Sequence, residues 1–109
     1  MLNDFKLYKK VLDMFYYTYF LTNKYPKSEK ESLVLELKQS LYKLMNYTVC
    51  YQKERSCLYL KSFKVELQIF LVLIRVSYKL KYINGKNYAS FSRKIIEMDK
   101  IVDGLNEEC

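Results

Sequence analysis

Only three residues that readily break regular structure occur in the 109-residue chain: Pro26, Gly85 and Gly104. A sandwich or barrel of short strands needs many more turn residues than that. Long stretches with apolar residues at helical spacing lie between these breakers. The sequence therefore predicts an all-α protein whose helices are joined by short connections.

The size of the chain fits one domain, and we assign residues 1–109 to it. Half of the residues are apolar, which is enough for a core, and 28% are charged. The longest apolar run is 69–74, far shorter than the roughly 20 residues of a membrane-spanning helix. The start of the chain lacks the charged and apolar blocks of a secretory signal. We therefore expect a cytoplasmic protein without membrane contact.

The three cysteines fit that expectation. Their odd number excludes a disulfide set closed within one chain. On a continuous helix, Cys50 and Cys57 would be separated by about 10.5 Å of rise, too far for a disulfide. Because the chain has no histidine and no Cys-x-x-Cys motif, a zinc site has too few ligands. We predict buried or idle thiols and no cofactor.

Apolar periodicity predicts four helices, the first over about 4–23. It ends before Pro26, because the residue before proline avoids the α region. The second helix follows Ser28 and continues to about residue 52. Ser28 and Glu31 match the Ser-x-x-Glu capping box, in which each side chain bonds the backbone N–H of the other residue.

The polar segment 53–56 allows two interpretations, a tight turn or a polar collar on a continuous helix. A turn is favoured, because the chain can then close as an antiparallel up-down four-helix bundle. The fourth helix, predicted over about 86–105, carries a heptad seam that suits such a bundle.

The third helix, predicted over about 56–83, is apolar on nearly all sides. It is therefore either the centre of the bundle or the contact with other subunits. Asn84 and Gly85 are predicted to end it, one of them in the left-handed conformation. One seam of this helix consists of Leu58, Val65, Ile69, Val72, Val76, Leu80 and Ile83.

The net charge of +7 is concentrated in two segments: residues 1–28 carry +3 and residues 54–83 carry +4. Lysines three or four positions apart on a helix repel one another by about 0.2–0.5 kcal/mol per pair. A cluster of like charges that destabilises its own helix indicates an anionic partner such as nucleic acid. The alternative is that these lysines only keep the surface soluble. The candidate binding residues are Arg75, Lys61, Lys64, Lys79, Lys81, Arg55, Lys9 and Lys10.

Arg75 interrupts the most apolar stretch of the chain. Because an unpaired buried charge is costly, the guanidinium must find a partner or reach solvent. There are three alternatives. The guanidinium forms a salt bridge to Glu66, Glu97 or Asp99, it lies on the exposed side of the helix, or it contacts an oligomer neighbour or RNA. The twelve tyrosines are able to stack on bases, although tyrosines at helical spacing are more often core and interface residues.

Catalytic motifs are missing from the sequence: it has no histidine, no P-loop, no Gly-rich loop and no nucleophile elbow. Its neighbouring carboxylates, at 97 and 99 and at 107 and 108, do not face one another on a helix. General acid–base chemistry needs positioned groups in a cleft. We therefore predict that the protein is not an enzyme.

Several motifs, in order along nearly the whole chain, resemble one known family. They are Leu-Tyr-Lys-Lys-Val-Leu-Asp at 7–13, Thr-Asn-Lys-Tyr-Pro-Lys-Ser-Glu at 22–29, and Val-Glu-Leu and Leu-Ile-Arg-Val at 65–67 and 73–76. The chain resembles the accessory variability determinant family of diversity-generating retroelements. That family is related to the four-helix proteins encoded in intervening sequences of bacterial 23S ribosomal RNA genes. The chain departs from the family pattern at Tyr25, Lys30 and Asp99.

The resemblance implies a four-helix bundle that assembles into a homopentameric barrel. It also implies a basic surface that binds a reverse transcriptase and its template RNA, or DNA, and so supports mutagenic cDNA synthesis. Arg75 matches the late helical arginine of the family and is the first candidate contact. The main alternative is a stand-alone four-helix oligomer of the intervening-sequence type. A small antitoxin-type binding module is a third hypothesis, supported only by the acidic segment 106–109.

Overall fold

The computed structural model describes residues 2–109, with side chains from Phe5 onward. Four α-helices and one 3-10 turn make up its regular structure. The helices are α1 (Leu2–Thr22), α2 (Leu33–Glu54), α3 (Leu58–Lys79) and α4 (Gly85–Asn106). Residues 2–109 contain no strand, so the all-α prediction with four helices is confirmed. None of the described helices is long and apolar enough to cross a membrane.

The helices form a bundle in which α1 and α3 each pack against both α2 and α4. Paired side chains fix their directions. Lys10 contacts Glu97, and Asp13, three residues later on α1, contacts Lys94, three residues earlier on α4. The two helices therefore run in opposite directions. Neighbouring helices therefore run antiparallel, and α1 and α3 both end at the same end of the bundle.

The core is built from one side of each helix, as expected for amphipathic helices in a bundle. Phe70 of α3 and Phe91 of α4 meet edge to face in its centre, with ring centroids 6.1 Å apart. Burial of each large apolar side chain contributes about 1.5–3 kcal/mol relative to exposure. The largest buried side chains are Phe63, Phe70, Phe91, Leu7, Met14, Leu37, Leu41, Leu44, Leu60, Leu67, Ile74 and Met98.

The segment 53–56 contains a turn, so the turn interpretation is confirmed and the collar interpretation is wrong. Arg55 adopts a left-handed φ of 57° directly after α2. Its backbone N–H donates to the carbonyl of Tyr51 at 2.8 Å, which satisfies one of the free carbonyls at the helix end. The chain then begins α3 at Leu58.

The capping box predicted for Ser28 and Glu31 is wrong. The chain makes a 3-10 turn at Lys27–Glu29, and α2 begins only at Leu33. The polar run 27–32 offers no apolar side chain to the core. Helix nucleation is unfavourable, and before Leu33 no burial of apolar surface offsets its free-energy cost.

The predicted end of α3 is also wrong. The helix ends at Lys79, and Lys81 takes the left-handed conformation with a φ of 65°. Asn84 begins α4 instead of ending α3. Its side chain accepts a hydrogen bond from the Asn87 backbone N–H at 2.8 Å, and the Asn87 side chain accepts one from the Asn84 N–H at 3.3 Å. This reciprocal capping box stabilises the start of α4.

Replacing Asn84 by alanine should lower the free energy of unfolding by about 1 kcal/mol, because one N–H of the first turn of α4 loses its acceptor. Urea unfolding measures the change. Asn23→Ala is the matched control, since Asn23 is exposed and follows α1. Equal losses in the two variants would show that the capping box contributes nothing.

Cys57 and Cys109 form a disulfide, so the prediction of idle thiols is wrong for this pair. Their Cα atoms lie 6.3 Å apart, within the usual range. The prediction considered Cys50 and Cys57 along one helix, whereas the antiparallel bundle brings the start of α3 beside the end of α4. Cys50 is a partly exposed free thiol.

Candidate nucleic-acid interface

Basic residues gather at the end of the bundle where α1 and α3 end and α2 and α4 begin. We call the segments 22–32 and 75–87 the cationic end. They contain seven basic and two acidic residues, a net charge of +5 out of +7 for the whole chain. The segments contact each other, because the hydroxyl of Tyr82 donates to Glu29 Oε2 at 2.8 Å.

An open depression of about 1160 Å³ lies in the cationic end, between the last turns of α1 and α3 and the start of α4. Four cations contribute to its wall, and no carboxylate is among the described residues that line it. We call it the basic depression. It is lined by Lys24, Arg75, Lys79 and Lys81, by the aromatic residues Phe20, Tyr78 and Tyr82, and by Leu21, Ile83, Asn84 and Asn87.

Arg75 lies on the exposed side of α3, which was one of the alternatives predicted from the sequence. Within the described chain no ion pair engages it. Its candidate partners are occupied elsewhere: Glu66 accepts a hydrogen bond from Ser40 at 2.7 Å. Glu97 and Asp99 pair with lysines at 2.6 and 3.6 Å. The guanidinium is therefore available to an external anion.

Arg75 and Lys79 share one face of α3 because they are four positions apart, and Lys81 follows the end of that helix. Lys24 follows α1 and reaches the same depression from the other side. The structure thus brings together three of the eight predicted binding residues and adds Lys24. Spacing along one helix could not reveal Lys24, because it joins the others only when the ends of α1 and α3 meet.

Two predicted binding residues lie in ion pairs with α4, away from the basic depression. Lys10 contacts Glu97 at 2.6 Å, and Lys64 contacts Asp99 at 3.6 Å and also Asp103. Hydrogen bonding to Asp103 raises the pKa of Lys64, and the hydrogen bond from Lys10 lowers the pKa of Glu97. Half-exposed pairs of this kind contribute roughly 0–1 kcal/mol each. Their carboxylates offset the charge that Lys10 and Lys64 would offer to a partner.

The remaining predicted residues, Lys9, Arg55 and Lys61, are exposed but scattered. Lys9 Nζ lies 5.6 Å from the centroid of its neighbour Phe5 on α1. The Arg55 guanidinium lies 5.3 Å from the Tyr51 ring centroid at the opposite end of the bundle from the basic depression. None of the three lines the basic depression, and their role in binding stays a prediction.

Glu29, one of the two acidic residues of the cationic end, is held by two hydrogen bonds. Ser32 donates its hydroxyl to Glu29 Oε1 at 2.6 Å, and Tyr82 donates to Glu29 Oε2. These bonds, that of Ser32 first, lower the pKa of Glu29. The bond from Tyr82 also joins the 3-10 turn to the α3–α4 connection.

A sequence model of the bAvd-like family matches residues 5–109. The chain belongs to the bAvd-like family. The match covers α2, α3 and α4 and nearly all of α1, and therefore every residue of the basic depression. The resemblance to the accessory variability determinant family is thereby confirmed. Neither the curated proteins nor the solved structures contain a match to this sequence.

The departures of this bAvd-like chain from the family pattern are accommodated locally. Tyr25 is 4% exposed and packs on Tyr82, with ring centroids 5.2 Å apart; burial raises the pKa of its phenol. Lys30 donates to the carbonyl of Thr22, the last residue of α1, at 2.8 Å. A single donor suffices there, so the fork of an arginine is not required. Asp99 joins the ion pairs between α3 and α4.

One face of α3 in this bAvd-like chain has no cover within the described residues, so the interpretation of α3 as a fully buried centre is wrong. The helix buries its opposite side, which includes Phe63 and Phe70. Contiguous exposed apolar residues commonly mark interaction sites. We call this face the apolar stripe: Leu58, Val65, Ile69, Val72, Val76 and Leu80, each 39–68% exposed.

Proposed function

We propose that this bAvd-like protein is an accessory nucleic-acid-binding protein of a diversity-generating retroelement. It binds the reverse transcriptase and its template RNA in the cytoplasm and supports mutagenic cDNA synthesis. Family membership supports the partnership with a reverse transcriptase. The observation that carries RNA contact is the basic depression, where four cations face solvent without a carboxylate among the described lining residues.

Counterion release gives this proposal a quantitative form. Each phosphate neutralised on a single strand contributes a slope of about −0.7 to the dependence of log affinity on log salt concentration. Four contacts predict a slope of about −2.8, so affinity should fall by about 50-fold between 50 and 200 mM salt. A protein that used its lysines only for solubility would show no such slope.

The proposal assigns no catalytic step to this chain. The polymerase performs the chemistry, while this protein binds and positions the RNA. We also propose that copies assemble through the apolar stripe into the homopentameric barrel that the family resemblance implies. The side chains of the stripe are exposed to water in the isolated chain. Burying them between copies would stabilise the assembly, because apolar surface would be removed from water.

The test is co-purification with the reverse transcriptase of a diversity-generating retroelement, with the complex sized by light scattering at 50 and 200 mM salt. We expect a salt-sensitive complex that holds several copies of this chain. The double variant Arg75→Glu with Lys79→Glu should bind RNA at least about tenfold more weakly, since two contacts become repulsions. Lys43→Glu with Lys100→Glu is the matched control, because both lysines are exposed outside the cationic end.

The alternative function is that of a stand-alone four-helix oligomer of the intervening-sequence type. The apolar stripe supports it as well as the accessory role, because other copies of the chain cover that face without any polymerase. A homo-oligomer that binds neither the polymerase nor RNA would support this alternative and contradict the accessory role.

A further inference from the structure

Two aromatic rings lie open in the basic depression. Phe20, in the last turn of α1, is 62% exposed, and Tyr78, in the last turn of α3, is 45% exposed. Neither ring contributes its full apolar surface to the core, so the chain forgoes part of their burial free energy. Open rings among cations have the make-up of a surface on which bases stack.

The orientation of Tyr78 is fixed before any ligand arrives. Its ring lies nearly parallel to that of Tyr88 on α4, at an interplanar angle of 11° with centroids 4.7 Å apart. A ring held on one face by a neighbour loses little conformational freedom when a base stacks on its open part. The arrangement is therefore preorganised for a planar ligand.

Cationic side chains line the same depression as both rings. Lys24 Nζ lies 5.1 Å from the Phe20 centroid, a cation–π contact that holds the charge beside the ring. Arg75 and Lys79 are one helical turn apart, about 6 Å along the axis of α3. A strand with a base on either ring would place its backbone among these cations.

We propose that the basic depression binds an unpaired nucleic-acid strand, with bases stacked on Phe20 and Tyr78 and phosphates held by Lys24, Arg75 and Lys79. This inference rests on the proposed function and specifies its ligand. A duplex presents phosphates to the cations but keeps the faces of its bases stacked on one another. Only an unpaired strand uses the rings and the charges together.

The test is fluorescence anisotropy of the full chain with three labelled probes at 50 and 200 mM salt. The probes are an oligouridine of about 12 nucleotides, a DNA strand of the same length, and an RNA duplex of about 12 base pairs. Phe20→Ala and Tyr78→Ala should each weaken binding of the single strands by about 5- to 150-fold, the range for loss of one stacked base. Binding of the duplex should change by less than about twofold.

Control variants separate stacking from folding. Tyr42→Ala removes a ring that is 70% exposed on α2, outside the basic depression, and should change nothing. Phe20→Leu and Tyr78→Leu keep apolar bulk but remove the aromatic face, so they should lose single-strand binding while melting near the wild-type temperature. A loss that follows thermal stability instead of ring identity would overturn the inference.

The outcomes also distinguish this inference from the proposed function. Equal affinity for duplex and single strands, unaffected by the ring variants but lost in the Arg75→Glu and Lys79→Glu variant, overturns stacking and leaves the accessory role intact. No salt-sensitive binding to any probe overturns both RNA binding and the inference. Binding to the polymerase alone, lost in the same charge variant, would assign the basic depression to the polymerase.

Discussion

Replacing Cys57 by serine should lower the free energy of unfolding of the oxidised protein by about 4 kcal/mol. The disulfide to Cys109 joins residues 52 positions apart. A cross-link of that span removes many conformations from the unfolded chain, and the effect grows with loop length. Small domains are stable by only about 5–15 kcal/mol, so the loss would be a large share of the total.

Urea unfolding with and without reductant measures this loss. The reduced wild type should match Cys57→Ser, and the oxidised Cys50→Ser control should match the oxidised wild type. Thiol titration in denaturant should find one free thiol in the oxidised wild type and three after reduction. An unfolding midpoint that ignores reductant would contradict the assigned role of the cross-link.

Replacing Val72 by lysine should dissociate the proposed homo-oligomer into folded monomers of 13.2 kDa. Val72 is 51% exposed in the middle of the apolar stripe, so a lysine there meets water in the free chain. In an interface the same ammonium group would be desolvated without a partner, which costs several kcal/mol at each contact. Association should therefore weaken by several orders of magnitude while the helix content stays unchanged.

Light scattering over a range of protein concentrations measures the mass, and circular dichroism measures the helix content. Tyr42→Lys is the control, because Tyr42 is exposed on α2 away from the stripe. The proposal that copies assemble through the stripe would be contradicted by a wild type that stays monomeric at every concentration. It would also be contradicted by a Val72→Lys variant whose oligomer mass is unchanged.

The helices could be predicted because apolar spacing reports which residues of each helix face a core. The same spacing does not say which neighbour covers a face. It could therefore not show that Phe70 lies in the core of the bundle while Val72, two positions on, faces outward. The polar run 27–32 misled for a related reason: its capping pattern is local, but the start of α2 is set by the first side chain that the core can bury.

The basic depression and the disulfide depend on residues that are distant in sequence. Cys57 and Cys109 meet only because α3 and α4 are antiparallel. Lys24 and Arg75 line one depression only because α1 and α3 end together. Lys64 was predicted as a binding residue from the charges of α3 alone. In the structure, Asp99 and Asp103 of α4 neutralise its charge, and the sequence of one helix cannot show such a contact.

The lopsided placement of charge has a consequence for how the free protein meets a partner. With a net +5 on the cationic end, a polyanion is drawn to one pole of the molecule before any contact forms. Collisions are thereby oriented, and the encounter rate should fall as salt screens the field beyond about 10 Å at 0.1 M.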